Sequence, residues 1–209
     1  MDERNHIESL ISVLNETYGT VSWWDAPFDE VAIGAILTQQ TRWENVEAAL
    51  THLRSAGLNT LAAIAAVDPA ELETCIRCTG FYRVKSARLR RLATFFLNQY
   101  REMEEIDLIP TDLLRRSLLT VNGVGEETAD SILCYGLFRE TFVIDAYTRR
   151  ICTCAGVSLP DDQVRRIFLS ALGFDNHLLR SCHGQIVEYA KEYCTKKRCQ
   201  ECRIRMLHE

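Results

Sequence analysis

The stretch from Leu118 to Gly136, LLTVNGVGEETADSILCYG, interrupts an apolar helical run with Gly123-Val124-Gly125 and resumes it behind Glu126 and Glu127. Glycine tolerates positive φ and leaves neighbouring backbone N–H groups uncovered. A helix that starts there points its unsatisfied N–H groups and its positive dipole end the same way. Together these make a seat for a phosphate without requiring a lysine. Such a seat touches backbone only, so it reads no sequence. The same pattern also describes an ordinary turn between two helices.

Three other groups of residues carry chemical potential. Asp145 follows the apolar stretch of FVIDAYTRR, where it can cap a helix beginning at Ala146. Trp23 and Trp24 are adjacent in SWWDAPF. Indole faces attract cations through their quadrupole, and tryptophans equally close a core. Cys194, Cys199 and Cys202 end in a Cys-x-x-Cys pair, a common chelating spacing.

The elements that must position these residues read as helices throughout. Long stretches carry Ala, Leu, Glu and Arg, with only 4 prolines and 10 glycines, which predicts an all-α protein. A first amphipathic helix ends at Gly19. DEVAIGAILTQQTRWENVEAALTHLRSAG predicts one or two helices with Asp29 as cap. Asp68-Pro69 is a cap followed by proline at the first helical position. RVKSARLRRLATFFLNQYREM, PTDLLRRSLLTV, a segment from about Glu126 to Leu137, PDDQVRRIFLSAL and NHLLRSCHGQIVEYAKEYC continue the series.

The net charge of −5 conceals an uneven distribution. Residues 1–50 are strongly acidic, with Arg4 and Arg42 the only basic side chains apart from histidine. RCTGFYRVKSARLRR (77–91) holds basic residues and no acid, and KEYCTKKRCQECRIR (191–205) is mostly basic. Local basic faces set phosphate attraction, although each cluster alone also describes a solvated helix face. No run of about 18 apolar residues predicts a membrane span. The polar MDERNHIESL start is neither a signal nor a transit peptide, so an intracellular, membrane-free protein is expected. Among nine cysteines, isolated ones such as Cys134, Cys152 and Cys154 are expected as small buried residues.

Taken in order, LTVNGVGEETADSIL, VIDAYTRR, ILTQQT (Ile36–Thr41) and HGQIVEYAKEYC with its cysteine tail resemble the helix-hairpin-helix glycosylases of the endonuclease III superfamily. The resemblance covers nearly the whole chain. The pair of tryptophans, AILTQQTRWENVEAAL, GFYRVKSARL and GVGEETADSILCYG look most like the endonuclease III-related branch that includes a 3-methyladenine DNA glycosylase.

This resemblance implies two helical domains. One is a barrel of about six helices over residues 29–140, with the helix-hairpin-helix at about 113–137. The other is discontinuous, residues 1–28 plus 141–209, and the motif lies at the cleft between them. The partner implied is double-stranded DNA holding a damaged base, which must leave the duplex for chemistry. A monomer is the default.

The resemblance also assigns roles. Bifunctional members use a lysine after the hairpin to form a Schiff base; that position here is Glu127, and a carboxylate cannot do so. Glu126 is no substitute, and Lys85 is a remote alternative. The expectation is therefore a monofunctional enzyme with Asp145 stabilising the positive charge that builds on the sugar. Gly123, Val124 and Gly125 would grip a phosphate. Gln40 would fill the gap in the base stack or serve as a surface residue. Trp23 and Trp24 would stack on a base, suiting a cationic alkylated purine such as 3-methyladenine, whose glycosidic bond is already weak. Uracil or thymine mismatches, or a non-catalytic DNA-binding module, are the alternatives. The superfamily often carries a [4Fe–4S] cluster on four cysteines. Here His208 stands near the fourth position, so Cys194, Cys199 and Cys202 could hold a structural cluster or zinc that fixes the loop of Lys196, Lys197 and Arg198, or be a decayed site.

Overall fold

The computed structural model describes residues 2–100 and 103–207. They are helical, with no β-strand among the described residues, and divide into two compact units, residues 26–137 and residues 1–25 with 138–209. Among these residues no helix is long and apolar enough to cross a membrane.

In the second unit, α1 (Glu3–Tyr18) starts at the Asp2 cap and stops at Gly19, whose φ of 60° lets its N–H reach the Asn15 carbonyl at 2.9 Å. Residues 26–137 then run from α2 (Phe28–Leu37) through α3 (Trp43–Ser55), α4 (Leu61–Ala66), α5 (Pro69–Ile76), α6 (Tyr82–Gln99), α7 (Met103–Asp107) and α8 (Thr111–Leu119) to α9 (Glu126–Ser131). The chain returns to the second unit for α10 (Ala146–Cys154), α11 (Asp161–Ala171) and α12 (Asn176–Tyr189).

Beyond its acidic first turn, helix α2 is apolar all round, and every residue from Val31 to Leu37 is buried. A helix with no polar face belongs at the centre of its unit. Around it, α3 buries Val46, Ala49, Leu50 and Leu53 at helical spacing. Helix α6 buries Leu89, Leu92, Ala93 and Phe96, with the Phe96 ring edge-on to Phe28 at 5.0 Å. Asp68 caps α5 as expected, accepting from the Ala70 N–H at 2.8 Å. Asp29 does not cap α2. Pro27 precedes the helix in extended geometry and Asp29 sits in the first turn, where a carboxylate still suits the dipole. Helices α9 and α12 each end in a π-turn, Ile132–Gly136 and Ala190–Cys194.

The basic stretch 77–91 is not one solvated face. The Lys85 side chain is buried, its ammonium donating to the Leu37 carbonyl at 2.9 Å and the Thr79 carbonyl at 2.8 Å. Burial, then the neighbouring Arg88, pushes its pKa down to about 8. Arg88 and Arg90 are also drawn onto protein acceptors, Gln39 and the Val67 carbonyl.

The second unit packs Ile7, Leu10 and Leu14 of α1 against Ile151, Phe168, Leu179, Ile186 and Tyr189. Phe142 stacks flat on Phe168, with centroids 4.1 Å apart and planes 8° from parallel. Buried Gln185 joins α12 to the end of α1, donating to Asn15 Oδ1 at 2.9 Å and to the Gly19 carbonyl.

Candidate active site

The apolar residues Phe142, Val143 and Ile144 are buried, which fixes the approach to Asp145. Asp145 is the N-cap of α10. Its Oδ1 accepts from the Thr148 N–H at 2.7 Å, while Oδ2 lies 3.6 Å from His183 Nε2 on α12. Its side chain is 14 % exposed and that of His183 7 %. Burial pushes the Asp145 carboxyl up. His183, with the Thr148 amide and hydroxyl, outweighs it and holds the group below the usual carboxylate range. Capping and ionisation thus coexist in one carboxylate.

The tryptophan loop hangs on the same stretch of α12. The Val21 N–H donates to Ser181 Oγ at 2.9 Å, and Arg180 reaches the Trp23 and Trp24 carbonyls at 3.4 Å and Asp25 at 3.7 Å. Trp23 lies so close to Gly184 that a Cβ there would stand 2.7 Å from the tryptophan Cβ. Trp24 holds a left-handed φ of 48°. The Lys191 ammonium sits 4.8 Å from the Trp23 ring centre, so an internal cation already occupies one indole face. Lys191 is itself paired with Glu188 at 3.0 Å. His183 and Gly184 are consecutive, so neighbouring residues of one helix hold Asp145 and Trp23.

In the unit of residues 26–137, Gly123 takes φ of 101°, and a Cβ on it would stand 2.4 Å from Arg88 Cγ. Gly125 differs: its φ is −93°, and a Cβ there would meet nothing within 4 Å. Positive φ is therefore required at the first glycine only. The Val124 side chain is buried and its N–H donates to the Val121 carbonyl at 2.9 Å. Its amide is spent on the turn. Gly125 caps α9 without a side chain. The hairpin is braced by Arg115, which grips fully buried Asp130 at 2.8 and 3.0 Å and Glu126 at 3.2 Å.

Gln39 and Gln40 separate in role. Gln39 Nε2 donates to the Gly123 carbonyl at 2.9 Å and to Thr128 Oγ1 at 3.1 Å, and its Oε1 accepts from Arg88. Gln40 is exposed at φ of 54°, at the break between α2 and α3. Phe81, 66 % exposed at φ of 47°, is a second bulky residue presented from strained backbone. Beside it the Tyr82 ring carries Arg77 and Arg83, each 5.7 Å from its centre.

Sequence reasoning missed His183, Arg180, Gly184, Gln39 and Phe81. An HG pair in an apolar helix and a doubled glutamine before a break were the available signals for three of them.

Cys202 is buried, its sulfur accepting from the Tyr189 hydroxyl at 3.6 Å, whereas Cys199 is exposed. Burial and the charges of Cys154, Cys202 and Cys199 push the Cys194 thiol up, so Cys154, at the end of α10, is an electrostatic neighbour of the tail cysteines. Among the described residues no three ligating side chains are arranged to hold a metal ion. The tail as placed does not fit a zinc site, and His208 lies outside the described residues. Aromatic packing supports this end instead: Tyr193 stacks on Tyr189 at 4.3 Å, and Arg198 lies 5.2 Å over Tyr193.

A helix–Gly-x-Gly–helix hairpin in an all-α chain, with a helix-capping carboxylate after it, defines a class. The chain belongs to the HhH-GPD superfamily of base excision DNA repair proteins, whose family model matches residues 33–172. A Methanocaldococcus jannaschii protein that carries the name DNA repair glycosylase is 41 % identical over 206 residues, covering 95 % of this chain and 94 % of that protein. The structure of H. pylori 3-methyladenine DNA glycosylase bound to 1,N6-ethenoadenine superposes with a TM-score of 0.76 at 29 % identity, covering 92 % of this chain and 98 % of that one. A non-covalent endonuclease III–DNA complex gives 0.80 at 20 % identity, covering 99 % and 95 %, a likeness of fold.

Proposed function

We propose that this chain is a monofunctional DNA glycosylase that excises an alkylated purine such as 3-methyladenine from double-stranded DNA, acting as a monomer inside the cell. The observation that carries the reading is Asp145: an ionised carboxylate, mostly buried, with one oxygen fixed by the Thr148 amide and the other facing His183. As the N-glycosidic bond breaks, its electron pair leaves with the base and positive charge develops on the sugar. A preorganised carboxylate stabilises that charge and orients the water that adds to the sugar carbon. Glu127, where bifunctional relatives of the resembled family carry lysine, offers no amine for a Schiff base. Lys85 is held by two carbonyls in a core, a structural task.

The glycines of the hairpin and the start of α9 would take a backbone phosphate. Exposed Gln40 and Phe81 would meet the bases from their left-handed positions, and Trp23 and Trp24 would line the base pocket. The 29 % identical 3-methyladenine glycosylase supports the alkylated-purine assignment. One observation favours a neutral uracil or thymine instead: Lys191 already supplies a cation to Trp23. No step runs through a metal; a cluster at Cys194, Cys199 and Cys202 would be structural, and iron and sulfide analysis of the purified protein reads it directly.

The deciding experiment is base release from methylated duplex DNA by wild type and Asp145→Asn, with strand breaks scored before and after alkali. Release with breaks only after alkali, abolished by Asp145→Asn, is the expected result. Release from uracil or thymine mismatches alone moves the substrate to the second reading. DNA binding without release from any duplex leaves a binding module.

A further inference from the structure

We propose that His183 is a positioning residue for Asp145: from α12 its Nε2 faces the second carboxylate oxygen at 3.6 Å, while the Thr148 amide hydrogen-bonds the first at 2.7 Å, so that the acid acts from one fixed orientation. The inference rests on the catalytic reading of Asp145 above. Its geometry is independent of that reading. His183 Nε2 stands 3.6 Å from Oδ2 between side chains 7 % and 14 % exposed, and the ring is set edge-on against Phe142 at 6.0 Å and 85°. Phe142 in turn is stacked on Phe168, so the imidazole rests on a packed wall.

The pair has an electrostatic consequence. A carboxylate taken out of water is pushed toward its neutral form unless donors or cations oppose the change. At Asp145 burial acts in that direction, and His183 is foremost among the opposing groups. The other groups around the pair do not replace it. On α10, the Thr148 amide already serves Oδ1, and the Cys152 thiol, pushed up to about 12 by burial, Asp161 and Asp145, is neutral. Asp161 on α11 is bound by Arg149 at 2.7 Å. On α12, the Cys182 thiol is pushed up by burial, and Arg180 is turned to the tryptophan carbonyls and Asp25. Helix α1, in the same unit, carries buried His6.

The sign follows. Without the imidazole, burial is opposed at Asp145 by Thr148 alone, and the carboxyl takes up its proton at higher pH. A neutral acid cannot stabilise a cationic sugar, so the acid limb of the rate profile moves upward. The test uses the full chain with His183→Gln, and His183→Asn in case the first variant melts unlike wild type. The Asp145 carboxyl carbon is titrated by 13C NMR, and single-turnover release from methylated duplex DNA is followed between about pH 4 and 8. The expected result is an Asp145 titration raised above that of wild type, with the acid limb moved equally, KM unchanged and the loss of rate greatest at low pH. An unmoved titration, or a uniform drop in rate with an unmoved limb, overturns the proposal and leaves His183 as packing. Asp145→Asn with wild-type release overturns the catalytic reading instead, and the carboxyl titration of wild type and His183→Gln still decides whether the pair exists.

Discussion

At the scale of single residues, Asp145 joins two tasks that seem to compete, capping a helix and carrying charge in a place that disfavours it. Asn caps helices about as well as Asp. Asp145→Asn is therefore expected to fold with a melting temperature near wild type while base release falls about a hundredfold or more, and calorimetry beside a release assay checks both. The two hairpin glycines predict opposite outcomes. Gly125→Ala meets open space at an ordinary φ, so stability should hold while the new methyl at the start of α9 weakens DNA affinity. Gly123→Ala meets Arg88 at a left-handed φ and should cost about 1–3 kcal/mol, read by denaturant unfolding. Asp145 and the glycines were legible in the sequence because cap and turn chemistry act over a few neighbouring positions. His183 was not, because its partner belongs to another helix and only the fold brings them within 3.6 Å.

At the scale of elements, helix periodicity was the readable signal. The expected helices are present, except that the run predicted through Met103 stops at Gln99, where Tyr100 turns extended, and Arg101 and Glu102 lie outside the described residues; Asp68-Pro69 starts α5 as its residue types dictate. The break after α2 was less clear. TQQTRW contains no glycine or proline, and the chain stops the helix by placing Gln40 in a left-handed turn while Gln39 is bound to the hairpin and to Arg88. That is a tertiary override of local propensity. Part of the basic stretch 77–91 is drawn inward for a related reason, since Lys85 and Arg88 find acceptors within the protein while Arg77, Arg83 and Arg91 stay exposed. Helix α12 is the element on which the site depends most. Gly184→Ala should displace Trp23, because a methyl cannot stand 2.7 Å from its Cβ; loss of the native tryptophan emission spectrum would record it. Between α8 and α9, Asp130→Ala should destabilise by about 1–3 kcal/mol in denaturant unfolding, because it removes two charge-assisted hydrogen bonds from partly buried Arg115 and leaves it with Glu126.

At the scale of the whole molecule, a net charge of −5 argues against a general affinity for polyanions, so contact with DNA must come from local cations and backbone amides. Affinity for duplex DNA should still fall by about tenfold or more between about 50 and 200 mM salt, and an affinity indifferent to salt would count against the phosphate seat. The Lys85 ammonium has a different consequence. At 2 % exposure and bound to two carbonyls, it is closed to amine-directed reagents while its helices stay packed, although its lowered pKa makes it chemically ready to react. Surface lysines such as Lys196 and Lys197 should be acylated at once and Lys85 only when its unit opens. Peptide mapping of a timed labelling series would then turn one side chain into a clock for opening of that unit.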